Sequence, residues 1–368
     1  MEVEPILGIL SIPRANNNPF LGNQNESFTE ILTVAERMNC VAFVFSPFDV
    51  DCKKNAVWGY RYNWKSPTGE WERHLYPLPS VIYNRIPNRT MENRENIKYL
   101  LSGLKQKYGP RFFNPCFLDK WETHKILCNS EYTKDLLPET RKLDRPEVIN
   151  EMLMLYDSVY LKPCANSLGN EILKVYKKNR SQYCFIHQSL SQHRREGVVT
   201  HCSELVSELP QSEERTEYIV QQAIPLAEIG DQPFDLRLLV QKSHDGEWRK
   251  TGMAARIAGK ESITTHVFYG GTRSPSQNAI RVAAQNCGFS IRKVKNQLKY
   301  IQSTVPKVIE KAYRESFGEL EMDVGIDSFG KVWFLEANSK PFRFDEKLIR
   351  AKSLVRLIYY VRYLDALQ

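Results

Sequence analysis

Near the end of the chain an apolar run, Val332-Trp333-Phe334-Leu335, gives way to Glu336-Ala337-Asn338. In a strand, residues i and i+2 share a face, so Glu336 and Asn338 point the same way. Asp323 stands thirteen residues before Glu336 on an incoming run, with the turn Ser328-Phe329-Gly330 between them. Two carboxylates and an amide oxygen converging there are hard oxygen donors, the set that Mg2+ takes together with waters and phosphate oxygens. The hairpin register, which sequence leaves open, decides whether Asp323 joins the other two. A Glu and an Asn capping a surface strand would read the same way.

Three further groups carry residue types suited to a phosphorylated ligand. Lys162-Pro163 ends a strand and precedes a loop of small and polar residues containing Ser167 and Gly169. A lysine there can pair with phosphate while backbone N–H groups cradle it. The G-x-x-x-x-G-K order of a Walker A loop is absent, and an ordinary surface loop has the same composition. Gln221-Gln222-Ala223-Ile224 ends another strand, with Glu228 shortly after. Such an end can offer backbone groups to an adenine edge and a carboxylate to ribose hydroxyls; a core strand trailed by an acidic loop is the plainer alternative. Finally, Asp235-Leu236-Arg237 and Arg256 lie on adjacent predicted strands. Arginine suits bidentate recognition of phosphate or carboxylate, and a structural Asp–Arg pair is equally compatible.

The elements that must position these residues alternate strand and helix. Buried strands are expected at 6–12, 40–46 and 80–85, with helices at 26–39 and 91–108, which makes a small α/β unit over 1–115. An aromatic, turn-rich stretch at 55–79 reads as an inserted hairpin. A second unit follows over 116–225, with a helix at 119–130, strands at 158–163 and 217–224, and a mobile part at 177–215. The third, 226–368, takes strands at 234–242 and 251–257, helices at 276–287 and 291–316, the 320–338 hairpin and a helix at 346–366. Apolar residues 351, 354, 355, 358 and 361 give that last helix a packing face. A membrane-surface role is its alternative reading. No repeat of solenoid period is visible.

Composition narrows the function classes. The chain has 368 residues, 42% hydrophobic and 26% charged, values of a globular protein with a full core. The net charge is +8, and residues 340–368 hold seven Lys/Arg against three Asp/Glu. With no base-reading motif or basic-aromatic repeat, nucleic acid is not an expected partner. Eight cysteines without a C-x-x-C pair exclude metal-finger and redox spacings. His187, His193 and His201 lack a metal-ligand spacing and read as surface or core residues. No run approaches a transmembrane span, and the N-terminus lacks the pattern of a signal peptide. A reduced cytoplasmic protein is expected.

Taken in order, Lys120, Lys162, the small-residue loop, Gln221 to Glu228, Arg237, Asp323 and Glu336-x-Asn338 resemble the ATP-grasp superfamily over roughly 115–345. The hairpin is similar to the metal-binding hairpin of D-alanine–D-alanine ligases. A narrower likeness covers nearly the whole chain. LGIL near the N-terminus, DKWETHKIL, PET, FDLRLLVQK and DVGIDSFGKVWFLEANSKP look like the YheC/YheD family of endospore coat-associated ATP-grasp proteins.

That resemblance implies an α/β (α+β) ATP-grasp fold with an N-terminal pre-ATP-grasp domain. It also implies ATP and two Mg2+ ions as cofactors, and a spore-forming bacterium in which the protein is cytoplasmic or associated with the spore coat. By the same likeness Lys120, with Lys125 as a neighbour able to replace it, and Lys162 contact phosphates, and Ser167 and Gly169 belong to the loop that folds over them. Gln221, Gln222 and Ile224 match the adenine hinge, and Glu228 the ribose-binding acid. Arg237 and Arg256 match catalytic cations near the transferred phosphate, and Asp323, Glu336 and Asn338 match the metal ligands. The implied reaction joins a carboxylate to an amine through an acyl phosphate and releases ADP. Two positions depart from the ligases: Glu321 stands where they carry arginine, and Phe342 follows Pro341 where they carry glycine. A nucleotide-binding structural protein of the spore coat and an ATP-dependent phosphotransferase are the alternatives.

Overall fold

The computed structural model describes residues 4–13, 21–51, 53–66, 69–164, 170–179, 181–190, 193–210 and 216–367. Three sheets are built in succession along the chain. The first places Ile6–Leu10 between Val41–Phe45 and Val81–Asn84, all parallel, and the Ala56–Asn63/Glu70–Pro77 hairpin extends its edge. The second is antiparallel and contains Ser158–Pro163 between Ile172–Asn179 and Tyr218–Gln222. The third is also antiparallel and runs, in order, Thr272–Pro275, Arg249–Ile257, Gln232–Gln241, Glu319–Ile326 and Val332–Asn338.

Alternation in the third sheet decides which side holds chemistry. Phe234, Leu236, Leu238 and Val240 face one way, as do Leu320, Met322, Val324 and Ile326, into a core closed by the helices Ser276–Cys287 and Ile291–Tyr313. Asp235 and Arg237, and Glu319, Glu321 and Asp323, therefore lie on the opposite face. The hairpin partner keeps this pattern only through an irregularity. Val324 pairs with Phe334 but Asp323 pairs with Glu336, so one extra residue, Leu335, is inserted as a bulge. Val332 and Phe334 stay in the core, and past the bulge Ala337 does too. Glu336 and Asn338 are thereby turned onto the face of Asp323; unbroken alternation from Phe334 would have buried both.

The C-terminal helix, Lys347–Asp365, joins two units. Leu357, Ile358, Tyr360, Val361 and Leu364 enter one core with Leu7, Ile9 and Tyr83 of the first sheet and Phe28 and Ile31 of the helix Asn25–Arg37. On the third sheet, Gly252 leaves room for Ile349, since a Cβ there would stand 2.5 Å from its side chain. The packing face is rotated from the expected one: Ala351 and Val355 are exposed, and Tyr360 supplies the bulk. The sequence pattern missed this because three aromatic residues, Tyr359, Tyr360 and Tyr363, compete for the interior.

The first sheet also grips the end of the hairpin. Asn114 donates to the carbonyls of Glu319 and Ser339, and Ser339 Oγ donates to the Cys116 carbonyl at 2.6 Å. Lys340 is ion-paired in the interior with Glu92, which also accepts from Asn84 Nδ2 at 2.8 Å and the Phe117 N–H at 3.1 Å. Arg85 donates to the Pro341 carbonyl at 2.9 Å.

Candidate functional site

Between the second and third sheets lies a cleft lined by Lys120, His124, Lys162, Gln221, Leu335 and Glu336, among others. Lys120 is the first residue of the helix Lys120–Cys128, capped by Asp119, whose carboxylate accepts from the Trp121 and Glu122 N–H groups. Its Nζ lies 3.0 Å from Glu336 Oε2. Lys125 instead pairs with Glu122 on the exposed side of that helix, which removes it as a substitute for Lys120. Lys162 and Ile219 are cross-strand partners, so Lys162, Ile219 and Gln221 share the cleft face of the second sheet. Gln221 accepts from Lys162 Nζ at 2.7 Å and donates to Thr140 Oγ1 at 3.0 Å. Its side chain thus holds a lysine in place, a task not visible in the sequence.

Charge in the cleft is unevenly shared. Burial would push the Glu336 carboxyl up, but Lys120 and Lys162 beside it outweigh that and hold it at about 2. Burial lowers the Lys162 ammonium to about 8 against the pull of Glu336. Asp323 is pushed up to about 7 by burial, with Arg256 opposing and Asp235, Glu321 and Glu336 adding to the rise. Arg256 lies 2.7 Å from Asp323 and holds Asp235 through two hydrogen bonds of 2.9 and 2.6 Å. The buried Asp323 Oδ1 has no hydrogen-bond partner among the described residues. Arg237 is ion-paired with Glu321, donates to the Phe342 carbonyl at 3.1 Å, and lies over the Phe344 ring.

The oxygen donors fit a divalent cation. Glu336 and Asp323 are direct cross-strand partners and Asn338 pairs with Glu321, so all four side chains sit on one patch. An orphaned buried carboxylate oxygen beside other carboxylates favours a cation there. No group of three His, Cys, Asp or Glu suited to a metal occurs among the described residues; the third donor of this set is the Asn338 amide oxygen, which fits Mg2+ better than a softer metal.

Other expected residues fall differently. Gln222 is tied to Glu139, its N–H donating to the carbonyl at 2.8 Å. The Ile224 carbonyl accepts from the Leu226 N–H at 2.9 Å, closing a tight turn at the hinge. Glu228 is exposed on the short Glu228–Ile229 strand, outside the cleft lining. Ser167 and Gly169 lie outside the described residues, as does the side chain of His193. His187 is buried against Glu171 at 3.0 Å, and His201 is exposed. Burial pushes the Cys164 thiol up to about 12, which leaves it inert at neutral pH.

Sequence reasoning missed His266. The segment carrying it is fixed to both sheets: Thr265 Oγ1 donates to Asp235 at 2.7 Å, and Tyr160 Oη donates to the Ile263 carbonyl at 3.1 Å. Burial, followed by Arg256, lowers the His266 imidazole, so it is neutral at pH 7 amid charged neighbours. A lone histidine after Ile263-Thr264-Thr265 and before a short apolar run offered no signal.

Two sheets grasping a cleft, with Lys162 on one, an oxygen-donor hairpin on the other and Lys120 on a helix start beside that hairpin, define an ATP-grasp protein. Solved structures agree on the fold: the D-alanine–D-alanine ligase of Coxiella burnetii superposes with a TM-score of 0.55 at 11% identity, covering 99% of this chain and 96% of that one. The VanG D-Ala:D-Ser ligase of Enterococcus faecalis gives 0.52 at 12% identity, covering 99% and 100%. The family profile described as YheC/D like ATP-grasp matches residues 109–364, and the chain belongs to that family. It is 27% identical over 345 residues to the endospore coat-associated protein YheD of Bacillus subtilis (strain 168), covering 93% of this chain and 74% of the relative. To YheC of the same organism it is 24% identical over 304 residues, covering 81% and 80%.

Proposed function

We propose that the protein is an ATP- and Mg2+-dependent ligase that joins a carboxylate to an amine and releases ADP and phosphate. The observation that carries this reading is the meeting of Lys120 and Lys162 with Glu336, one face of cations against one face of oxygen donors. In this reading Lys120 and Lys162 hold phosphate oxygens, and Asp323, Glu336 and Asn338 hold Mg2+. The hinge from Gln221 to Ile224 meets the adenine, and Glu228, together with the loop containing Ser167 and Gly169, completes the nucleotide site. Bound Mg2+ would neutralise charge that develops in phosphoryl transfer. The protein contributes positioning and preorganised charge. Arg256 orients Asp235 and Asp323. Arg237 brings its guanidinium across to Glu321, the position where the ligases carry arginine, so a positive group stands there from the neighbouring strand. The three units 1–115, 116–225 and 226–368 then divide the work as a carboxylate-side domain and the two halves of the grasp. Residence with the spore coat fits the names of the Bacillus subtilis relatives.

The Glu321–Arg237 pair also favours a second reading, a nucleotide-binding coat component, because a neutralised arginine is a weaker oxyanion partner. Screening amino acids and short peptides for ADP and phosphate release separates the two. Both products are expected with a correct carboxylate–amine pair. AMP as product, or tight ATP binding without turnover across the screen, sinks the ligase reading. ADP without free phosphate points to phosphoryl transfer onto a hydroxyl.

Lys162 gives the nucleotide site a pH dependence of defined sign. Its ammonium is held at about 8 in the free protein, so it loses its proton as pH rises through that value. ATP affinity is therefore expected to fall from pH 7 to pH 9, about tenfold for the loss of one buried charge-assisted contact. Fluorescent nucleotide titration reads it; a flat profile, or one as steep in Lys162→Met, removes Lys162 from the phosphate contact.

A further inference from the structure

The outer face of the C-terminal helix serves no purpose in the cleft. Leu348, Lys352, Val355 and Tyr359 follow one another at spacings of four, three and four residues, a single stripe along the helix. It faces solvent: Leu348 is 87%, Tyr359 42% and Val355 37% exposed. Residues 347–364 contain no acidic side chain. Lys250, at the start of the adjacent Arg249–Ile257 strand, and Arg356 crowd Lys352, whose ammonium is lowered by burial and then by these two neighbours. None of Lys250, Lys352 and Arg356 has a carboxylate partner among the described residues; Arg356 donates instead to Thr251 Oγ1 at 2.9 Å and to the Arg249 carbonyl. Asp245, on the turn before that strand, is taken by Arg249.

Like charges held together without counterions lower the stability of the free protein and are relieved by an anionic partner. A soluble polyanion would reward the charges alone. Exposed leucine, valine and tyrosine interleaved with them gain free energy only where apolar groups leave water beside the anionic groups. We propose that this face docks the protein onto an anionic lipid bilayer, the helix lying flat on the headgroups. No helix among the described residues is long and apolar enough to cross a membrane, which agrees with surface attachment. None of the residues of this face lines the cleft between the second and third sheets.

Co-sedimentation of the full chain with phosphatidylcholine vesicles, with and without phosphatidylglycerol, tests this. Binding is expected only with the anionic lipid and is expected to weaken as salt rises. The variant Lys250→Gln/Lys352→Gln should bind about thirty-fold less tightly, since each basic side chain at such a surface contributes about fivefold. Leu348→Ser/Val355→Ser should also weaken binding to vesicles while leaving retention on heparin unchanged. All four positions are exposed, so neither variant should melt below wild type, and the lysine variant, relieved of like-charge repulsion, should melt at or slightly above it. Absence of binding to anionic vesicles overturns the proposal. So does binding indifferent to the lysine changes. Serine variants that bind vesicles as well as wild type would assign the face to a soluble polyanion instead.

Discussion

Glu336→Ala is expected to lower nucleotide turnover by about 100- to 1,000-fold, the range found when one preorganised electrostatic group is removed from a transition state. The side chain ties a helix start to the donor hairpin: Oε2 meets Lys120 at 3.0 Å and Oε1 accepts from Asn338 Nδ2 at 3.3 Å. Held at about 2, it is ionised at any working pH, so its loss removes a full negative charge. Bound phosphates then supply the negative charge beside the two lysines that Glu336 supplied before. Nucleotide affinity should consequently change far less than turnover, and Glu336→Gln should resemble the alanine variant in rate. Coupled measurement of ADP formation, beside nucleotide titration, checks the split. A rate loss below tenfold in a normally folded variant would remove Glu336 from the metal. The same carboxylate gives a stability signature. Its folded value lies below the ordinary 4.5, so its stabilising contribution is present above 4.5 and is lost as pH falls through about 2. Wild type and Glu336→Ala should therefore differ at neutral pH and converge in strong acid.

A larger loss of stability is expected from Glu92→Ala. Its partner Lys340 is buried, and an ammonium left there alone costs about 3–5 kcal/mol. Glu92→Met/Lys340→Met should recover most of that, because both charges leave together. Burial lowers Lys340 to about 8, with Glu92 opposing. Between about 8 and the ordinary 10.5 the unfolded chain binds more protons at this site, so stability should rise with pH across that window. In Glu92→Ala, where Glu92 no longer opposes the loss of the proton, the rise should begin at lower pH and be larger in total. Urea unfolding at several pH values measures both effects. Equal stability of the single and double variants would show that Lys340 does not need its partner. Since Lys340 follows Asn338 by two residues, the single variant should also loosen the end of the donor hairpin.

Much of this arrangement is legible in the sequence where period carries the message. Glu319-Leu320-Glu321-Met322-Asp323-Val324 alternates without a break, and one face is buried against helices as that pattern requires. The 276–287 helix has the expected bounds, because apolar spacing and Gly288 mark both period and end. The register of the hairpin is another matter. Nothing in Trp333-Phe334-Leu335-Glu336 announces that Leu335 is the extra residue; the bulge is fixed by Asp323 and Phe334 finding their places in three dimensions. The task of Gln221 is equally hidden, since a glutamine on a strand end does not say that a lysine on the neighbouring strand lies across from it. The helix Glu147–Leu155 went unread because its apolar run, Met152-Leu153-Met154-Leu155, has no helical period of its own.

The C-terminal helix has a consequence for how the chain is made. Five of its side chains complete the interior of the sheet formed by strands between residues 6 and 113, so that sheet emerges from the ribosome with part of its core still untranslated. Its strands must wait, exposed or shielded by other proteins, until residues 357–364 have been synthesised. The contacts that finish the first unit thus span most of the sequence, and closures of that length are slow. Vectorial synthesis therefore completes the second sheet, which ends at Gln222, before the other two, and the unit that leads the chain is the one completed last.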